Sequence, residues 1–266
     1  MEFGILGPLL IRDEFGEYRV PAPKQRVLFA ALLLRRGQVT APQVLARNVW
    51  DGDPPRNANA ALQTCVMRLR KSLGPVGVRV ETHAGGYLVD VAPEEFDLHR
   101  FADLRNRGLA ALRGQAYEQA AALLDAALEV WRGEALLDIP SDDLRREHAD
   151  RLADERLQVV EARVAAELQL GRRSMVPELH ALTAAHPERE RFWAQLMTAL
   201  FREGRQAEAL AVFQRARRQL NTELGVLPGT ELRDLHQRIL RTDPRAPFHH
   251  PDHPHRRPRA EALALR

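Results

Sequence analysis

Along residues 1–92 the spacing of apolar positions passes from short alternating runs to helical periodicity and back. Phe3, Ile5, Leu9 and Ile11 are interrupted by Gly4, Gly7 and Pro8, and Tyr18-Arg19-Val20 follows the polar turn Asp13–Glu17. Short runs of this kind predict a small antiparallel sheet. From Lys24 to Arg36 apolar residues fall at 27, 28, 31, 32 and 34, with Pro23 before and Gly37 after, which predicts a first helix. Thr40 is the expected N-cap of a second helix, with Pro42 in its first turn and Leu45, Val49 and Trp50 turned inward. Asp51-Gly52-Asp53-Pro54-Pro55 ends it. A third helix is expected from Asn57 to Leu73, stopped by Gly74-Pro75. Val78–Thr82 and Tyr87–Val91 then read as strands joined by His83-Ala84-Gly85-Gly86, a hairpin signature.

Sheet, three helices and hairpin, in that order, describe an α+β winged helix-turn-helix with an added N-terminal β-sheet. Three helices alone would be generic; a hairpin directly after the third one is what narrows the choice. On a helical wheel of about 100° per residue, Leu62, Val66, Leu69 and Leu73 share one face of that helix. Asn57, Ala60, Thr64, Met67, Arg68 and Lys71 project from the other, with Gln63 and Arg70 on the flanks. No acidic residue occurs between Asp53 and Glu81, whereas Arg56, Arg68, Arg70, Lys71 and Arg79 do. DNA requires this asymmetry, because phosphates repel carboxylates and each neutralising cation releases condensed counterions. Arg reads guanine and Asn or Gln reads adenine through paired hydrogen bonds. Arg68 and Thr64, with Gln63 and Asn57, are therefore expected at base edges, and Arg70 and Lys71 at phosphates. The hairpin around Arg79, Thr82, His83 and Gly85 is expected to be a wing on the adjacent groove or backbone. Cys65, near the inward face, reads as a small core residue.

Residues 97–241 carry helical periodicity almost throughout. Gly114, Glu118, Leu123 and Ala126 recur in pattern as Gly204, Glu208, Phe213 and Ala216, and Gly171 stands about one tetratricopeptide period (~34 residues) before Gly204. This predicts an all-α, tetratricopeptide-like repeat domain offering a curved surface to proteins or peptides. Trp131, Phe192 and Trp193 are expected in inter-helix packing. Residues 242–266 form a Pro/His/Arg-rich tail, expected to be disordered; His249, His250, His253 and His255 suggest no more than weak metal binding. Neither a resident metal nor a cofactor is expected.

Net charge is only +3, so the location of the cations counts for more than their sum. The single cysteine excludes a disulfide framework within the chain. No run approaches the roughly 18 apolar residues of a membrane span, and the N-terminus does not resemble a secretory signal; a cytoplasmic protein is expected. No phosphate-binding loop, HExxH or GxSxG motif occurs, and the acidic residues are scattered among arginines as solvent-facing pairs would be, so an enzyme is not expected.

Two longer stretches carry a family resemblance. PRNANAALQTCVMRLRKSLG followed by VRVETHAGGYLVDV is similar to the third helix and wing of OmpR-type DNA-binding domains. FDLHRFADL, ALEVWRGEALLDI, RLADERLQVVEARVAAELQLGR and the segment from HPERERFWAQ to ELGVLPGTELRDLHQRIL resemble the bacterial transcriptional activation domain. Together they are similar to the small Streptomyces antibiotic regulatory proteins over about residues 1–241. The resemblance implies an activator of a secondary-metabolite gene cluster. Such an activator binds direct repeats in double-stranded DNA near the −35 region as two protomers, and recruits RNA polymerase holoenzyme through its sigma factor and core subunits. The wing departs from the family in carrying His83 where many relatives have a basic or proline-containing tip. A repressor or ligand-responsive regulator, and a repeat adaptor whose basic helix meets an acidic protein, remain open on sequence alone.

Overall fold

The computed structural model describes residues 1–241, so the tail expected at 242–266, with its four histidines, lies outside the described residues. The chain divides into two compact units, Met1–Arg173 and the residues from Ser174 onward. The division falls inside the helical region, well beyond the passage between residues 92 and 97.

The first unit opens with a three-stranded antiparallel sheet, β1 (Glu2–Gly4), β2 (Leu10–Asp13) and β3 (Gly16–Glu17). Phe3 pairs with Ile11 across it, and both are buried. The third strand lies earlier than Tyr18-Arg19-Val20 because Asp13 tightens the turn. Its carboxylate accepts from the Phe15 and Gly16 amides and from the Tyr18 hydroxyl (2.8, 3.1 and 2.6 Å).

Three helices follow: α1 (Pro23–Leu34), α2 (Pro42–Val49) and α3 (Ala58–Leu73). α1 is buried nearly all round, from Val27 to Leu33, as a helix enclosed by neighbours must be. A 3-10 turn at Gly74–Arg79 leads into the hairpin β4 (Val80–His83) and β5 (Gly86–Val89). Thr40 does not cap α2. Ala41 holds that position, and Thr40 instead exchanges two backbone hydrogen bonds with Tyr87 (2.8 and 3.0 Å). The expected cap residue is thus a bridge that ties β5 of the wing, next to its turn, to the start of α2.

The same unit continues through α4 (Asp97–Arg113), α5 (Tyr117–Glu129), short α6 (Asp142–Leu144), a π turn (Arg145–Ala149) and α7 (Asp150–Leu170). Leu136, Ile139 and Leu144 enter the same apolar cluster as Phe3, Phe29, Leu45 and Leu69. Polar pins reinforce this join. Buried Asp97 accepts from the amides of Ile5 and Leu6 (3.0 and 2.9 Å) and from Arg132 Nη2 (2.9 Å). Ser141 Oγ donates to the Asp51 carboxylate (2.7 Å) beside α2. A side chain at Gly4 would fall on Arg132 and Asp97, which is why the strand carries glycine there.

The second unit holds α8 (Val176–Ala185), α9 (Glu190–Arg202), α10 (Gln206–Leu224) and α11 (Thr230–Arg241). The helix pairs α4–α5 and α9–α10 do repeat, but one residue out of the expected phase. The left-handed turn position is Gln115 in the first and Gly204 in the second, not Gly114 and Gly204. Buried residues accordingly match as Ala120 with Ala209, Leu124 with Phe213 and Ala127 with Ala216. Leu123 and Ala126, the expected counterparts, are only half-buried. The aromatic residues do pack between helices: Trp131 stands edge-on to Phe101 (5.3 Å), Phe192 is buried, and Trp193 donates to the Pro187 carbonyl (2.9 Å).

Candidate nucleic-acid interface

α3 begins where the Pro54-Pro55 stretch releases the chain. Asn57 is its N-cap, its side-chain oxygen accepting from the Ala60 amide (3.3 Å). Leu62, Cys65, Val66, Leu69 and Leu73 are buried and fix the rotation of the helix about its axis. Ser72 adds a polar pin, donating to Gln25 of α1 (3.0 Å). Burial pushes the Cys65 thiol up, in keeping with a small core side chain.

The opposite face is exposed at Ala60, Gln63, Thr64, Met67, Arg68 and Lys71. Arg68 and Lys71 make no hydrogen bond or ion pair among the described residues, and neither does Arg56 ahead of the helix. Thr64 turns its hydroxyl back on the helix, donating to the Ala60 carbonyl (2.9 Å). Asn57, although exposed, has its acceptor engaged in the cap. Of the residues expected to touch DNA from this helix, the fold therefore brings Gln63, Thr64, Arg68 and Lys71 together on one open strip.

Arg70 is different. It is half-buried, and its guanidinium donates to the Val80 carbonyl (2.7 Å) and the Thr82 hydroxyl (2.9 Å). It straps β4 to α3. Gly77 permits this closeness, since a side chain there would strike the Arg70 carbonyl. Arg79 is likewise engaged, in a two-pronged pair with Glu95 (2.5 and 3.0 Å) that lowers the Glu95 pKa and raises its own. Both cations belong to the scaffold of the wing.

The wing is a tight hairpin in which His83 pairs with Gly86 and Gly85 takes a φ of +94°. Thr82, His83 and Gly85 are exposed at its tip, with His83 Nε2 2.6 Å from Glu81. Gly86 has a separate reason. A Cβ there would meet the Thr40 carbonyl at 2.0 Å, so the Thr40–Tyr87 bridge requires glycine. Sequence reasoning missed Thr40, Gly77 and Gly86 as positioning residues; Gly85-Gly86, two glycines where a hairpin needs one, was the available signal.

Residues 96–240 match the family described as bacterial transcriptional activator domain, and residues 20–89 match transcriptional regulatory protein, C terminal. Regulatory protein DnrI of Streptomyces peucetius is 37% identical over 92% of this chain and 93% of its own length. Regulatory protein AfsR of Streptomyces coelicolor is 43% identical over 92% of this chain, which spans 24% of that protein. A solved structure of Mycobacterium tuberculosis EmbR, in complex with a low-affinity phosphopeptide, superposes with a TM-score of 0.86 at 35% identity. It covers 91% of this chain and 66% of its own.

Proposed function

This chain belongs to the Streptomyces antibiotic regulatory protein family of transcriptional regulators, and from that premise we propose how it activates transcription. Two protomers bind direct repeats near the −35 region of a secondary-metabolite promoter. Each lays α3 in the major groove and its wing against the neighbouring backbone. The helical region recruits RNA polymerase holoenzyme through its sigma factor and core subunits, and the site of action is the cytoplasm.

One observation carries the DNA half of this reading. The exposed strip of α3 carries no carboxylate and holds Arg68 and Lys71 with no hydrogen-bond or ion-pair partner among the described residues, while the nearest arginines, Arg70 and Arg79, are fastened inside the protein. A cation left free beside others that are paired is available to phosphate or guanine.

Binding of the full chain to promoter duplex is expected to weaken steeply with salt. Arg68→Ala should cost about 1–3 kcal/mol and relax base preference, while Lys71→Ala should weaken all sequences alike and lower the salt slope by about 1. Wild-type binding by both variants would remove α3 from the interface. Activation is tested separately, by transcription in vitro with purified holoenzyme; repression, or no change, would sink recruitment.

A further inference from the structure

The centre of the exposed α3 strip is apolar rather than cationic. Met67 is 63% exposed and is the one large apolar side chain of α3 that is not buried. Thr64 and Ala60 lie about one and two turns before it on the same strip, both exposed. The Thr64 hydroxyl proton is committed to the Ala60 carbonyl, so the new surface Thr64 offers includes its γ-methyl. A methyl, a second methyl and a thioether side chain therefore run in line, flanked by Gln63 on one side and by Arg68 on the other, with Lys71 one turn beyond Met67 in the same row.

Single exposed apolar residues on a protein surface ordinarily need no explanation. This one stands in the middle of an exposed helix face that carries no carboxylate, where the neighbouring water-facing positions carry cations and an amide. In the major groove the single apolar group on a base edge is the C5-methyl of thymine, and small apolar side chains are what contact it. A flexible, polarizable methionine adapts to such a contact better than a β-branched residue.

We propose that Met67, with the methyls of Thr64 and Ala60, reads thymine C5-methyl groups in the repeat and so determines specificity at those positions. This rests on the α3-in-groove reading above. Arg68 and its flanking neighbours would supply the hydrogen-bonded half of recognition, and the Met67 row the apolar half. Because the row is uncharged, its contribution is independent of salt.

Deoxyuridine differs from thymidine by that methyl alone, which makes the test direct. The probe is the two-repeat duplex that the full chain selects from a randomised pool, with deoxyuridine placed at each thymine in turn. For the wild type, one or two positions should weaken binding by about fourfold, the worth of one buried methyl-sized group. Met67→Ala should bind the all-thymine duplex more weakly by a similar factor, with an unchanged salt slope, and should no longer respond at one of those positions. Met67→Leu should restore the response. Met67 is exposed, so the variants should melt as the wild type does.

Two outcomes overturn the inference while leaving the DNA reading intact: wild type indifferent to every deoxyuridine, or Met67→Ala as sensitive as wild type at every position. Failure of the wild type to select any duplex overturns both together.

Discussion

Arg70 and Lys71 are adjacent cations on one helix, yet folding gives them different work. Arg70 reaches back to Val80 and Thr82, while Lys71 points to solvent. Arg70→Ala should therefore destabilise the wing by about 1–2 kcal/mol, the range for a hydrogen bond to a charged group that is partly exposed. Amide exchange should speed up in β4 and β5 but not in α3. Its DNA affinity should fall without change in salt slope, and a slope reduced by about 1 would instead mark Arg70 as a phosphate contact. Asp97 is the other residue on which much depends, since it is buried and accepts from two amides and Arg132. Asp97→Asn turns an amide toward donors and strips Arg132 of its carboxylate partner, leaving it the Pro8 carbonyl. Urea unfolding should register a loss of about 3–5 kcal/mol; a loss below about 1 would mean that the network is dispensable.

At the scale of elements, the hairpin is held by two ties, the Thr40–Tyr87 bridge next to its turn and the Arg79–Glu95 pair at its root. The second is pH-sensitive. Its hydrogen bond to Arg79 holds the Glu95 carboxyl below the usual range. The stabilisation is thus fully present above the unfolded value of about 4.3 and is lost as pH falls through the lower folded one. Because the pair is partly exposed, screening limits it to about 1 kcal/mol. Protection of the Asp90 amide, which is bonded to the Arg79 carbonyl, relative to its intrinsic exchange rate at each pH, should fall on acidification in the wild type and be low already at neutral pH in Glu95→Gln. An acid response that survives in Glu95→Gln would place its source elsewhere. Asp97 works with the opposite sign: burial raises its pKa, so between the ordinary and the folded value stability falls as pH rises. The elements themselves were legible where the pattern was long. α1 and α3 follow from the apolar spacing of their own residues, whereas Thr40 was misread because a good capping residue can be claimed by a distant strand.

On the scale of the whole molecule, the winged helix shares its core with Leu136, Ile139 and Leu144 of the helical region, and the N-terminal segment lends Leu6 to a second cluster built from α4, α5 and α7. Leu136 shows how firmly. It is fully buried among winged-helix residues while its backbone holds a φ of +58°, a conformation that costs a leucine about 1–3 kcal/mol. Burying its side chain returns about 1.5–3 kcal/mol, and its amide is bonded to the Ile5 carbonyl (2.9 Å). Leu136→Ala should lower stability by about 2–5 kcal/mol, and the winged helix and α4–α7 should melt together in the wild type. Separate transitions for the two parts, with Leu136→Ala affecting only one, would refute a shared core. Apolar patterning predicted the winged helix and the repeat as successive elements, but not this join. The strap from Trp131 to Ser141 has no period to read, and its partners lie far away in sequence.

What the sequence determined by itself about the exposed surface of α3 is what a single helix determines. The wheel of residues 58–73 sets which side chains leave the core, and the carboxylate-free window sets the charge of that side. Only the tertiary structure decided which cations remain free. Arg68, Arg70, Lys71 and Arg79 are alike in composition and spacing. The hairpin returns Val80 and Thr82 to Arg70, and the chain beyond β5 returns Glu95 to Arg79. The physical reason is range: amphipathicity is a property of neighbours along one helix, whereas a hydrogen-bond partner is whichever group the rest of the chain delivers within about 3 Å.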